Sequence, residues 1–151
     1  MTSCATKLIC PTKPHSAIIF GQTGCGKTVF VLDLLDLPKN RGGYAGAFRH
    51  ITILCPTVRR NQTYQSRAWI WLDTKIYVLD PGNKLHNYLR ALYTIFASEP
   101  TLNLIDDCAA SKALTQKKNM LSELAFSGRH ASQSVWVLTQ KYNSVLKDLR
   151  E

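Results

Sequence analysis

The chain has 151 residues, which at roughly 100–200 residues per domain implies one domain, large enough to bury about 70% of its unfolded surface. Apolar residues make up 45% and charged residues 19%, which excludes a disordered tail, and no apolar run approaches the roughly 18 residues that span a bilayer. Nineteen Lys and Arg against ten Asp and Glu leave a formal charge of +9, an excess that favours a polyanionic partner, nucleic acid first.

Residues 1–14 are rich in Thr, Pro and Lys and read as a flexible leader to a single domain over 15–151. They lack a cationic start followed by an apolar stretch, so an intracellular, non-secreted protein is expected. Ser16–Phe20 is a short apolar run that stops at a glycine, the pattern of a buried strand. A glycine-rich turn follows over Gly21–Thr28. Val29–Leu37 then reads as a helix with Phe30, Leu34 and Leu37 near one face, ended by Pro38. Asn40–His50 has three glycines and reads as an exposed loop. Strands are expected at Ile51–Cys55, Ile76–Leu79, Leu102–Ile105 and Val135–Leu138. Asn83 can cap a helix carrying Leu85, Leu89, Leu92 and Phe96 at helical spacing. Ser111–Ser127 reads as a further helix, with Gly128 at its C-terminal end. Strands alternating with helices predict an α/β sandwich around a mainly parallel sheet.

The five cysteines are Cys4, Cys10, Cys25, Cys55 and Cys108. Their odd number and wide scatter argue against a disulfide framework and a zinc ribbon. Free thiols in a reducing compartment fit better.

The strongest signal is Gly21-Gln22-Thr23-Gly24-Cys25-Gly26-Lys27-Thr28. It matches GxxxxGK[ST] in full, directly after a strand and before a helix, which is the context the motif needs. The glycines let backbone N–H groups turn inward around phosphate oxygens, and the helix adds the positive end of its dipole. All eight residues are therefore candidates for binding ATP. Lys27 is expected to reach the β- and γ-phosphates, and the Thr28 hydroxyl to ligate Mg²⁺. Cys25 lies beside a helix N-terminus, which acidifies a thiol and makes it alkylatable.

Asp106 and Asp107 stand at the tip of an apolar strand. Asp106 is assigned to the metal and Asp107 to the attacking water as general base; the alternative for Asp107 is a cap on the next helix. Two strand-like runs separate Lys27 from Asp106. P-loop kinases of small molecules set the acid strand beside the first strand, whereas NTP-driven motors insert an extra strand and carry a second acid. The double aspartate favours the motor. The last strand ends in Thr139-Gln140, and a parallel sheet presents such tips to the ligand crevice. Gln140 is therefore expected to sense the γ-phosphate, against the plainer reading of a loop glutamine. Arg129, after Gly128, is poorly placed for its own nucleotide and suits a neighbour's site as an arginine finger, or else a solvated surface; Arg150 is a weaker candidate for that role. Arg59-Arg60 and Lys117-Lys118 suit a phosphate backbone or a solvated face. Trp69 and Trp71 read as core or interface. His15, His50 and His86 show no partner pattern and read as structural or solvent-facing.

The set GQTGCGKT, LNLIDDC and LAFSGRHASQSVWVLTQKYNSVLKDLR resembles the poxvirus-type DNA-packaging ATPases of the HerA–FtsK superfamily, especially versions from large DNA viruses and Polinton/Maverick transposons. The resemblance covers about Ser16 to Arg150. It implies a P-loop NTPase three-layer sandwich with a RecA/ASCE-like core. It implies an ATP-driven motor that feeds double-stranded DNA into a viral or virus-like capsid, acting as a homo-oligomeric ring with capsid or portal proteins as partners and no membrane. The host nucleus or a viral replication site is the implied location. The roles above follow the same pattern: Lys27 and Thr28 at phosphate and magnesium, Asp106 at the metal, Asp107 as base, Gln140 as sensor and Arg129 as the trans-acting finger. Family members continue past the glutamine strand, so the last core strand is expected to lack a counterpart here. A helicase or transposition-associated ATPase of the same fold, a truncated non-catalytic nucleotide-binding module and a small-molecule kinase are the competing readings.

Overall fold

The structure, a computed structural model, describes residues 13–80, 85–107 and 132–140. The five runs of β-branched and aromatic residues all form strands: β1 Ser16–Phe20, β2 His50–Leu54, β3 Ile76–Leu79, β4 Thr101–Asp106 and β5 Gln133–Thr139. Between them lie α1 Lys27–Asp36, a 3-10 turn at Lys39–Arg41, α2 Gln62–Gln65, α3 Ala68–Leu72 and α4 Leu85–Ile95. Every strand pairing is parallel, in the order β1-β5-β4-β2-β3. Strand β5 thus lies between β1 and β4, the inserted strand expected of a motor rather than a kinase. Among the described residues β1 and β3 form the two edges of the sheet, and no helix is long and apolar enough to cross a membrane.

Side chains alternate across a strand, and both faces here are covered. Ile53, Leu102, Leu104, Trp136 and Leu138 share one core cluster with Val31, Leu32 and Leu35 of α1 and with Tyr64 and Ile70 from α2 and α3. The opposite face meets α4. There Thr52 Oγ1 donates to Asn103 Oδ1 at 2.7 Å, Asn103 Nδ2 to Gln133 Oε1 at 3.1 Å, and Gln133 Nε2 to the Tyr93 carbonyl of α4 at 3.1 Å. These polar side chains are buried and mutually satisfied, so they tie β2, β4, β5 and α4 into one register.

Two sequence expectations change in part. Helix α1 buries Val31, Leu32 and Leu35; of the expected Phe30, Leu34 and Leu37, Leu34 packs against that core while Phe30 is 58% exposed. Val31, Leu32 and Leu35 lie three, four and seven positions after Thr28 and share its face, so the placement of Thr28 at the site fixes the helix's rotation. The Asn40–His50 segment is only partly exposed: Asn40, Arg41, Gly46 and Arg49 face outward, while its aromatic residues pack. Tyr44 stacks on Phe48 with ring centroids 5.9 Å apart, both meet Trp136 edge-on, and Gly43 is buried. His15 and His50 are structural, one of the two readings their sequence context left open: Trp136 Nε1 donates to His15 Nε2 at 3.0 Å, and His50 pairs with Glu99 while stacking on Phe96. Trp69 packs against the core cluster, while Trp71 is partly exposed and donates its Nε1–H to the Tyr64 carbonyl. The Asn83 cap, the Ser111–Ser127 helix with Lys117 and Lys118, Gly128, Arg129, Arg150, Cys4, Cys10, Cys108 and most of the leader lie outside the described residues, as do the side chains of Leu85, His86 and Leu89.

At Gly43 an added Cβ would stand 1.9 Å from the Leu37 carbonyl oxygen. That contact is with backbone and cannot rotate away. Gly43→Ala is expected to destabilise the protein by about 2–3 kcal/mol, read as a lowered urea midpoint at unchanged slope.

Candidate functional site

The C-terminal tips of parallel strands open onto one edge of the sheet, where crevices form. Strand β1 passes directly into the glycine-rich loop, and the Gly21 N–H donates to the Thr139 carbonyl at 3.2 Å. The start of the loop is therefore tied to the end of β5, beside Gln140. Gly26 is the N-cap of α1, with φ +86°, and Gly24 has φ +78°. An added Cβ meets nothing within 4 Å at either position. Backbone dihedral, not space, is what demands glycine there. The Lys27 ammonium turns back over the loop and donates to the Gly21 and Gln22 carbonyls at 2.7 and 2.8 Å.

This loop forms one wall of a cavity of about 780 Å³. Thr23, Lys27 and Thr28 line it on one side, with Asp106, Asp107 and Gln140 contributed by the tips of β4 and β5. The structure thus brings the predicted loop, both acids and the glutamine to one place. Gly21, Gln22 and Cys25 belong to the loop without lining the cavity. Arg129 lies outside the described residues.

Asp106 is 6% exposed. Its Oδ2 accepts hydrogen bonds from Thr28 Oγ1 at 2.9 Å and from Tyr64 Oη at 2.7 Å. Burial pushes the Asp106 carboxyl above the usual carboxylate range, and the neighbouring Asp107 charge adds to that; the Tyr64 and Thr28 hydroxyls and the Lys27 charge pull it back. Asp107 is exposed, has φ +56°, and accepts a hydrogen bond from Thr57 Oγ1 at 3.3 Å. The same Thr57 hydroxyl lies 3.4 Å from Cys55 Sγ, whose thiol burial pushes up to about 11.

Sequence reasoning missed Thr57, Asn61, Thr63 and Tyr64. Thr57, Asn61 and Thr63 line the cavity, and Tyr64 holds Asp106 from behind. The segment is polar, basic and too short in its helices for a periodic signal. Its one local cue is Asn61, which caps α2 by accepting the Thr63 N–H at 3.0 Å. The oxygen donors at Thr28 and Asp106 are hard ligands of the kind that suits Mg²⁺, and a cationic Lys27 beside a helix N-terminus suits phosphate, so the residues present fit a metal–nucleotide pair.

The chain matches the family model described as Poxvirus A32 protein over residues 7–151. No curated protein sequence matches it. Its fold is similar to B204, the DNA-packaging ATPase from Sulfolobus Turreted Icosahedral Virus, with a TM-score of 0.64 and 14% identity over 93% of this chain and 72% of that one. It is similar to the genome packaging NTPase B204 from Sulfolobus turreted icosahedral virus 2 in complex with ATP-gammaS, with a TM-score of 0.60 and 15% identity over 90% and 69%. The N-terminal domain of zonular occludens toxin from Neisseria meningitidis shares the fold at a TM-score of 0.52 and 12% identity over 91% and 72%. At such identities these likenesses concern the fold.

Cys25 is exposed on the loop and Cys55 is buried, with a thiol held near 11. Only a thiolate alkylates readily. N-ethylmaleimide at neutral pH is expected to modify Cys25 and leave Cys55 intact in the folded protein, read by peptide mass mapping.

Proposed function

The chain belongs to the poxvirus A32 protein family, and we propose that it is the ATP-hydrolysing subunit of a motor that drives double-stranded DNA into a viral or virus-like capsid. The observation that carries this reading is the direct Thr28–Asp106 hydrogen bond at 2.9 Å, formed across an intervening β5. It joins the phosphate loop to an acid strand one strand removed, the arrangement expected of a motor. Solved relatives by fold are named as DNA-packaging or genome packaging NTPases, one in complex with ATP-gammaS, which supports ATP as the nucleotide.

ATP binds with its phosphates along Gly21–Thr28, where loop amides and the α1 N-terminus meet negative charge. Lys27 exchanges its two carbonyl partners for phosphate oxygens. Thr28 and Asp106 would hold Mg²⁺, which when bound would supply positive charge against the phosphates. Asp107, exposed at the cavity, takes the proton of the attacking water. Gln140 at the tip of β5 meets the γ-phosphate and reports its loss to the strand. Arg129 completes the site of a neighbouring subunit in a homo-oligomeric ring, and capsid or portal proteins are the partners of that ring. Arg59 and Arg60 are exposed in the turn after β2, beside the cavity-lining Thr57, and contact DNA phosphates.

Lys27→Ala is expected to abolish ATP binding in calorimetry. Asp107→Asn is expected to bind ATP as the parent does while losing turnover; normal hydrolysis by this variant refutes the base assignment. Duplex DNA affinity is expected to fall steeply with salt, and Arg59→Ala with Arg60→Ala to flatten the log–log slope by about 0.9 per lost phosphate contact.

A further inference from the structure

We propose that Tyr64 is a positioning residue for the metal-side carboxylate: its phenol sets the orientation in which Asp106 meets Thr28 and the nucleotide's cation. The inference rests on the functional reading above. Tyr64 is fully buried, at 0% exposure, and a buried phenol must find a partner. It donates at 2.7 Å to Asp106 Oδ2, the oxygen that also receives Thr28 Oγ1 at 2.9 Å. A carboxylate's terminal torsion is broad and roughly two-fold. One donor leaves it free to swing; a second donor converging on the same oxygen from a different element holds it. Bonds to an ionised acceptor are also the stronger kind.

The phenol is itself held on a braced segment. Gln65 Nε2 donates to the Val58 carbonyl at 3.1 Å, and Trp71 Nε1 donates to the Tyr64 carbonyl at 3.0 Å. Arg67 Nη1 donates to Asp33 Oδ1 at 2.7 Å, fastening the start of α3 to α1. Asn61 and Thr63 of this segment line the nucleotide cavity. The α2–α3 segment therefore reaches Asp106 as an element separate from the phosphate loop, with α1 as the common frame.

Loss of an outer partner of a metal-side ligand typically costs 10–100-fold in metal affinity. The test is a Mg²⁺ titration of the full chain with a fluorescent ATP analogue. Tyr64→Phe is expected to bind the analogue in EDTA as the parent does, to need about tenfold more Mg²⁺ for half-maximal effect, and to lose kcat with little change in KM at saturating Mg²⁺. In an Asp106→Asn background the same substitution is expected to shift nothing further. An unshifted Mg²⁺ curve overturns the inference, as does an equal shift in the Asp106→Asn background or a loss of binding in EDTA. If Tyr64→Phe yields no folded chain, Asp33→Ala, which removes the acceptor of the brace at an exposed side chain, must raise the Mg²⁺ requirement; an unshifted curve there overturns the inference too. A parent chain that binds no nucleotide overturns the functional reading and this one with it, whereas a competent parent with an identical variant overturns this one alone.

Discussion

A carboxylate taken out of water persists only where donors replace the lost hydration. Asp106, buried at the end of β4, meets that condition with hydroxyls from two other parts of the chain, Thr28 after β1 and Tyr64 after β2. Three segments far apart in sequence meet at one oxygen. They do so because every strand runs the same way, which sends the ends of β1, β2, β4 and β5 to a single edge of the sheet.

That meeting depends on register. Asp106 shares its face with Leu102 and Leu104, so a slip of one residue in β4 would send the carboxylate to the side of α4. The buried chain of bonds from Thr52 through Asn103 and Gln133 to the Tyr93 carbonyl guards against such a slip. A slipped β4 would strand amide groups without partners, at a cost of about 1–3 kcal/mol for each unsatisfied group. Polar side chains on one face thus hold the chemistry of the other in place.

Helix α1 links core and site through a single rotation. Lys27 and Thr28 in its first turn line the cavity, and Val31, Leu32 and Leu35 continue the Thr28 face into the core. Phe30 is left outward as a consequence. The fold therefore uses one helix face for two purposes, and the glycine-rich loop is anchored by the same packing that covers the sheet. The brace from Arg67 to Asp33 brings the α2–α3 segment to that helix.

All five strands and the glycine-rich loop were legible in the sequence, because each is written in neighbouring residues: short apolar runs ended by glycine or proline, and a spacing of glycines that a tight turn requires. Asp106, Asp107 and Gln140 were legible for the same reason, as polar residues at the ends of apolar runs. The inner face of α1 was legible only in part: Leu34 packs on the core as its spacing suggests, but Phe30 does not, and the choice of Val31, Leu32 and Leu35 is made by where Thr28 must point. Tyr64 was not legible. Its partner lies 42 residues further along the chain, and nothing local marks a tyrosine in a polar turn as the one that closes over a buried acid. The packing of Tyr44 and Phe48 on Trp136 was hidden behind glycines that read as a loop. Local spacing determines which segments become strands, loop and helix; which side of each faces inward, and which distant hydroxyl meets which carboxylate, is decided only when the parallel sheet brings the segments together.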